Sequence, residues 1–179
     1  MLPVIPRKLG AIGARRRINK APSPVLAFAL PWALVMLGSL SPTWPLIASL
    51  PLVPPLGFLF LVAWLQMRPG LFPVWAGLPL GLFDDLFRGQ PFGSAVLLWS
   101  IATIGLDFLE TRFPWRGFLL NWLLAAAVAV AYLILAAFVA GGSVMLLGPQ
   151  LLLSVLVYPL LGRIVGLVAR LRLLPFRSV

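Results

Sequence analysis

The chain has 179 residues, of which 61% are hydrophobic and only 10% are charged, and its mean hydropathy is +1.06. Soluble domains carry roughly 25% charged and 45–50% apolar residues, so this composition indicates an integral membrane protein. The chain contains no cysteine and no histidine, which excludes thiol chemistry, disulfides, the usual zinc sites and a Ser–His catalytic pair. A net charge of +10 would point to nucleic acid in a soluble protein. Here the basic residues cluster at the chain ends and in short gaps between apolar runs, so we expect no nucleic-acid binding.

Residues 1–24 form a basic, proline-containing arm that we expect to lie in the cytoplasm. Its six basic residues are Arg7, Lys8, Arg15, Arg16, Arg17 and Lys20. The alternative is a signal peptide, but no A-x-A-like cleavage site follows the apolar run that ends at Leu40. We therefore expect a retained first membrane helix.

Six apolar segments between residues 25 and 172 predict an all-α membrane protein, with about six transmembrane helices in one bundle. The segments cover about residues 25–40, 52–66, 71–87, 92–109, 118–140 and 144–169. The fifth segment would span roughly 34 Å at 1.5 Å per residue, whereas several others fall short of the usual ~20 residues. Five helices are therefore the alternative to six.

The distribution of arginine and lysine predicts the orientation of this bundle. If the N-terminus is inside, the inside segments hold the basic arm, Arg68, Arg112, Arg116 and the arginines of the C-terminal end. Only Arg88 then lies outside. The positive-inside rule therefore predicts that both termini are cytoplasmic, with residues 173–179 as a short tail.

Glycines recur at every fourth residue around the third segment, and an acid fills the one missing position. The series is Gly77, Gly81, Asp85, Gly89 and Gly93. Residues four apart lie on nearly one face of a helix, so Gly77 and Gly81 predict a GxxxG strip against which another helix can pack closely. Gly89, Pro91 and Gly93 predict a tight turn before the fourth helix.

The adjacent residues Asp84 and Asp85 are half of the acidic residues in the chain. A charged residue at the bilayer centre costs about 2.5–3.5 kcal/mol on insertion scales, and the predicted topology places this pair near the outer end of its helix instead. Arg88 can pair with either acid by spacing, and the pair could form an interfacial Asp–Arg cap. Alternatively, Asp85 faces inward with the glycines and holds the turn that follows, while Asp84 is solvated or paired with Arg88. We expect Asp85→Ala and Gly81→Leu to disrupt function more than Asp84→Ala.

Four further residues are candidates for a partner or interface site. Asp107 and Glu110 end the fourth segment, where we expect solvated charges that pair with nearby arginines, or a docking patch. Tyr158 and Pro159 lie inside the sixth segment. No metal site and no cofactor are predicted.

The motif Gly81-x-x-x-Asp85-x-x-x-Gly89-x-Pro91-x-Gly93 follows a proline-rich second segment and is joined by a late Tyr158-Pro159 pair. In these features the chain resembles the MreD family of bacterial rod-shape-determining membrane proteins. The resemblance implies a non-enzymatic component of the cell-elongation machinery, which builds peptidoglycan, in the bacterial inner membrane. The partners it implies are an MreC-like protein, the RodA glycosyltransferase with its penicillin-binding partner, and, indirectly, MreB-like filaments. The fold it implies is similar to the six-helix substrate-binding subunits of energy-coupling-factor vitamin transporters. The second acid, Asp84, and the long basic arm depart from the family.

The sequence is compatible with two other functions. A vitamin-type transport subunit could bind a small molecule at a midplane site lined by Asp85, Asn121 and Gln150. An intramembrane enzyme would have only Asp84 and Asp85 as candidate catalytic groups, since the chain has four acids and no histidine or cysteine.

Overall fold

The computed structural model describes residues 24–43, 53–89, 91–113, 117–141 and 147–171. Within these ranges the chain forms six α-helices and two short 3₁₀ turns, with no strand. The helices are α1 (Pro24–Ser39), α2 (Leu56–Met67), α3 (Gly77–Arg88), α4 (Ser94–Arg112), α5 (Phe118–Val139) and α6 (Gly148–Leu171). The expected all-α class is confirmed for the described residues. Most of the basic arm and the C-terminal tail lie outside them.

Among the described residues, three helices are long and apolar enough to cross a membrane, namely α4, α5 and α6. The other three are shorter: α1 has 16 residues, and α2 and α3 have 12 each. A helix of 12 residues is about 18 Å long, which is less than the ~30 Å of a typical hydrocarbon core. The structure therefore supports a helical membrane protein with three helices of spanning length.

The outer surface of α4 supports a lipid environment. Leu97, Ile101, Ile104 and Phe108 are all more than half exposed. Their spacing of four, three and four residues places them on one stripe of the helix. A stripe of large apolar side chains facing outward is expected for a helix in lipid and is rare on soluble monomers.

Two predicted segment starts were wrong, and proline explains both. The second helix begins at Leu56, directly after Pro54 and Pro55, and the third begins at Gly77 rather than near residue 71. A proline disfavours the helical conformation of the residue before it, which here applies to Pro54 before Pro55 and to Phe72 before Pro73. Pro73 itself is extended, and the 3₁₀ turn Val74–Ala76 separates it from α3.

Helix α2 lies at the centre of the fold, because every residue from Gly57 to Leu65 is buried. It contacts α1, α4, α5 and α6. A helix that is apolar on all sides is expected in such a position.

The contacts along α2 and α6 show that these two helices run parallel. Gln150 Nε2 near the start of α6 donates to the Val53 carbonyl just before α2, at 2.8 Å. Further along both helices, the Tyr158 hydroxyl donates to Gln66 Oε1 at 2.6 Å. The last turn of α2 and the second half of α6 therefore lie toward the same end of the bundle.

The described arginines divide between the two ends of the bundle. Arg68 follows α2, Arg112 ends α4 beside the start of α5, and Arg163 and Arg170 lie in the last turns of α6. We call this the basic end. At the opposite end, Ser39 of α1 meets Gly57 at the start of α2 and lies beside Asp84 of α3. We call this the hairpin end, and within the described residues Arg88 is its only arginine.

Candidate functional site: the acidic hairpin

We use the name acidic hairpin for α3, α4 and the turn between them, residues 77–112. Its centre is the carboxylate of Asp85, which lies on α3 and binds the first turn of α4. Asp85 Oδ2 accepts the backbone N–H of Gly93 at 2.9 Å, and Oδ1 accepts that of Ala95 at 2.9 Å. The Ser94 hydroxyl and the Val96 N–H donate to the same carboxylate, each at 3.3 Å.

This contact satisfies the free donors of a helix that cannot cap itself. The N-cap residue of α4 is Gly93, which has no side chain to accept a hydrogen bond. Asp85 takes over that role from the preceding helix, and the Ser94 N–H donates to the Pro91 carbonyl at 3.0 Å. A carboxylate at this position is also favoured by the helix dipole. Of the two predicted roles for Asp85, the structure therefore shows the inward one, because the carboxylate holds Gly93, the last residue of the turn, together with the first turn of α4.

Gly77 and Gly81 form the predicted close contact, and their partner is α4. A Cβ atom added at Gly77 would lie 2.7 Å from the backbone of Ser100. One added at Gly81 would lie 2.7 Å from the Ala95 carbonyl oxygen and from Val96 Cα. Because both neighbours are backbone atoms, neither position has room for a side chain unless the helices separate.

Gly89 and Gly93 do not continue this packing face. Both have positive φ angles, +65° and +93°, and a Cβ at either would meet no atom within 4 Å. Gly89 is the left-handed C-cap of α3. The glycines spaced four residues apart therefore serve two purposes. Gly77 and Gly81 allow close packing, and Gly89 and Gly93 allow the chain to reverse.

Asp84 is fully buried, so of the two expectations for it, solvation and pairing with Arg88, the structure shows the pairing. Arg88 Nε lies 3.1 Å from Asp84 Oδ2, and the exposed fractions of the two side chains are 8% and 0%. This is the only ion pair among the described residues. Ser39 from the end of α1 lies beside the same carboxylate. Asp84 therefore lies where α3 meets the end of α1 and pairs within α3, whereas Asp85 binds α4.

A cluster of aromatic residues from three other helices lies near this buried charge through Tyr132, and sequence reasoning missed it. The Phe58 ring stacks on Tyr132 at 4.1 Å between centroids and contacts Trp99 at 5.8 Å. Asp84 and Arg88 lie close enough to act electrostatically on the Tyr132 hydroxyl. Both Tyr132 Oη and Trp99 Nε1 are buried and make no hydrogen bond of regular geometry with the described residues. One available signal was that Tyr132 is one of only two tyrosines in the chain.

The two adjacent acids have separate partners, so the structure does not bring them together as a catalytic pair. Asp85 is bound by backbone N–H groups, whereas Asp84 faces Arg88. Within the described residues no group of three or more acids could hold a metal ion.

The acids at the far end of α4 lack the predicted ion pairs within the described residues. Asp107 and Glu110 are half-buried, and neither forms a salt bridge to Arg112. Arg116 lies outside the described residues. Whether these acids form a docking patch stays a prediction.

Tyr158 and Pro159 both join α6 to its neighbours. Tyr158 is buried and donates to Gln66 of α2. Pro159 has no N–H, so the Val155 carbonyl four residues earlier loses its helical donor. The indole N–H of Trp122 on α5 donates to that carbonyl at 3.1 Å, which restores the missing hydrogen bond.

The three polar residues considered for a midplane pocket do not converge. Asp85 binds the start of α4, and Gln150 donates to the Val53 carbonyl at the hairpin end. Asn121 instead lines a cleft at the basic end, together with Tyr158 and Arg170.

Comparison of the chain with protein-family models, with curated proteins and with solved structures finds no match.

Proposed function

We propose that this protein is a non-enzymatic integral membrane component of the bacterial cell-elongation machinery. In this role it scaffolds or regulates the enzymes that build peptidoglycan. The partners we propose are an MreC-like protein and wall-synthesis enzymes of the RodA and penicillin-binding type, with MreB-like filaments as indirect partners.

The observation that carries the proposal is that the residues of the MreD-like motif act together in the structure. Asp85, the two packing glycines and the two turn glycines act together in one hairpin, in which α3 holds the first turn of α4. Asp84 pairs with Arg88 and Asp85 caps α4, which favours a structural role for these two acids over a catalytic one.

We further propose six membrane-crossing segments with both termini in the cytoplasm, in an arrangement similar to vitamin-binding transport subunits. The separation of the described arginines supports this orientation, because Arg68, Arg112, Arg163 and Arg170 share the basic end. Arg88 at the other end is paired with Asp84. Under the positive-inside rule the basic end faces the cytoplasm of the bacterial inner membrane.

Depletion of the protein in its source organism tests the proposed role. We expect depleted cells to lose their rod shape and the normal pattern of new wall synthesis, and wild-type protein to restore both. Cells that keep shape and wall pattern after depletion would refute the proposal. The depletion experiment uses no variant, so its result does not depend on whether a mutated protein folds.

Complementation with variants then tests the hairpin. We expect Asp85→Ala to fail to restore shape and Thr111→Ala, an exposed position at the other end of α4, to restore it. Membrane accumulation is measured for both, so that loss of the protein is distinguished from loss of activity. Co-purification with the MreC-like protein gives a second readout, and we expect Asp85→Ala to reduce it.

The alternative function, a small-molecule-binding transport subunit, has a different signature. Native mass spectrometry of the purified protein would then show a bound vitamin in stoichiometric amount. The separation of Asp85, Asn121 and Gln150 in the structure favours the scaffold over this alternative.

A further inference from the structure

A cleft opens at the basic end between the last turn of α2, the first turns of α5 and the second half of α6. Its volume is about 460 Å³. Two glycines of α6 create the space, because a Cβ at Gly166 would meet nothing within 4 Å and one at Gly162 would meet only Met67 Cε, at 3.6 Å.

The wall of this cleft is apolar and opens to the outside of the bundle. Met67, Phe118 and Leu167 line it, with exposed fractions of 45%, 76% and 60%. In a membrane these side chains face lipid, so the cleft can be entered sideways by an acyl chain.

The polar groups of the cleft include several hydrogen-bond donors and no acid. Arg163 and Arg170 are exposed, and neither forms a salt bridge within the described residues. Seven residues are nearly two turns of a helix, so the two arginines lie on one face of α6. Within the described residues all acids lie on α3 or α4, and none lines the cleft.

One buried donor behind the wall of the cleft lacks an acceptor. The Tyr158 hydroxyl donates to Gln66 Oε1, whereas Gln66 Nε2 is buried without a hydrogen-bond partner among the described residues. Tyr158 lies five residues before Arg163, about 7.5 Å along the axis. The buried amide therefore lies deeper in the bundle than the arginines, which are the exposed donors of the cleft.

We propose that this cleft binds an anionic phospholipid. The phosphate binds Arg163 and Arg170, and an acyl chain packs against Met67, Phe118 and Leu167. Basic pockets between membrane helices on the cytoplasmic side are suited to anionic headgroups. A free phosphate ion would leave the apolar wall without a partner. This site stands independently of the proposed role in cell elongation.

Lipid titration monitored by native mass spectrometry tests the site. The full-length protein is delipidated in a neutral detergent and titrated with phosphatidylglycerol or with phosphatidylcholine of the same acyl chains. We expect phosphatidylglycerol to bind at least tenfold more tightly. Equal affinity for the two lipids would overturn the proposal.

A charge-matched pair of double variants locates the site. We expect R163Q/R170Q to weaken phosphatidylglycerol binding by about 10- to 30-fold. R68Q/R112Q removes the same charge from the same end outside the cleft, and we expect its affinity to stay within about twofold of wild type. An equal loss in both would mean general attraction to the basic end and would overturn a specific site.

A steric variant tests the cleft without changing charge and covers the case in which the arginine variant does not fold. Gly166→Leu has room on the helix and fills the cleft, so we expect at least a tenfold loss of phosphatidylglycerol binding. Gly105→Leu on α4 is the matched control, because its Cβ also meets nothing within 4 Å and it lies outside the cleft. Unchanged binding in Gly166→Leu would contradict the proposal. Displacement of the lipid by millimolar inorganic phosphate would indicate a free-anion site and would overturn the lipid assignment.

Discussion

The charged residues at the two ends of the bundle differ in burial and in pairing. At the hairpin end, the side chains of Asp84, Asp85 and Arg88 are buried, and each is bound by another group of the protein. At the basic end, Arg163 and Arg170 are exposed and form no ion pair with a described residue.

This difference separates charges that hold the fold from charges that are free to act on other molecules. Removing one partner of a buried ion pair costs about 3–5 kcal/mol, whereas an exposed pair contributes about 0–1 kcal/mol. Substitutions at the hairpin end should therefore act mainly on stability, and those at the basic end mainly on lipid or partner binding.

The largest effect is expected from Asp84→Ala, which leaves Arg88 buried without its partner. We expect a loss of about 3–5 kcal/mol in unfolding free energy, measured by SDS titration of the protein in mixed micelles. Glu110→Ala, an acid at the far end of α4, is the control and should change stability by less than about 0.5 kcal/mol.

The double variant D84A/R88A sharpens this prediction. Because it removes both charges, it should be more stable than D84A alone. If D84A and Glu110→Ala were equally mild, the contrast between the two ends would fail. The expectation from sequence ranked Asp84→Ala below Asp85→Ala in loss of function, whereas the structure ranks it above Asp85→Ala in loss of stability.

Gly81→Leu should have the next largest effect, because the new Cβ would meet α4 backbone atoms at 2.7 Å. Separating α3 from α4 should cost about 3 kcal/mol, at the upper end of the usual cost of overpacking. Gly105→Leu is the matched control, since it adds the same side chain to open space. A Gly81→Leu protein as stable as Gly105→Leu would mean that the hairpin contact is not close.

Asp85→Ala should cost about 2–3 kcal/mol, because several donors at the start of α4 lose their acceptor. Asp85→Asn keeps one carbonyl acceptor and should lose less. Hydrogen exchange at Ala95 and Val96 gives the specific readout, and we expect faster exchange there in Asp85→Ala with little change in α6. An equal increase in exchange rate across the whole protein would argue against a capping role.

Local parts of the hairpin could be predicted from the sequence, because they depend on short spacings. Gly77 and Gly81 are four residues apart, and Asp85 reaches the start of α4 only 8 to 11 residues further along. These contacts follow from helix periodicity and one turn.

The burial of Asp84 could not be predicted in this way, because its surroundings come from distant parts of the chain. Ser39 and Tyr132 lie 45 residues before and 48 residues after it, by their numbers in the sequence. The same holds for the cleft, which combines α2 with α5 and α6. Periodicity assigns a residue to a face but does not identify which helix covers that face.

The smallest loss of stability is expected from Trp122→Phe, on the side of the molecule toward the basic end. This change keeps an aromatic ring but removes the donor to the Val155 carbonyl, which Pro159 leaves without a helical partner. We expect a loss of about 1 kcal/mol in unfolding free energy, the usual net value of one hydrogen bond.

A double-mutant cycle with Pro159→Ala isolates this hydrogen bond from the packing of the indole ring. The alanine would supply the N–H that Pro159 lacks, so the Val155 carbonyl would no longer depend on Trp122. Trp122→Phe should then cost about 1 kcal/mol in the wild-type background and much less in the Pro159→Ala background. Equal costs in the two backgrounds would show that Trp122 stabilises the protein by packing alone. A coupled result would show that an uncharged side chain at this end serves the fold, which sharpens the contrast with the exposed arginines beside it.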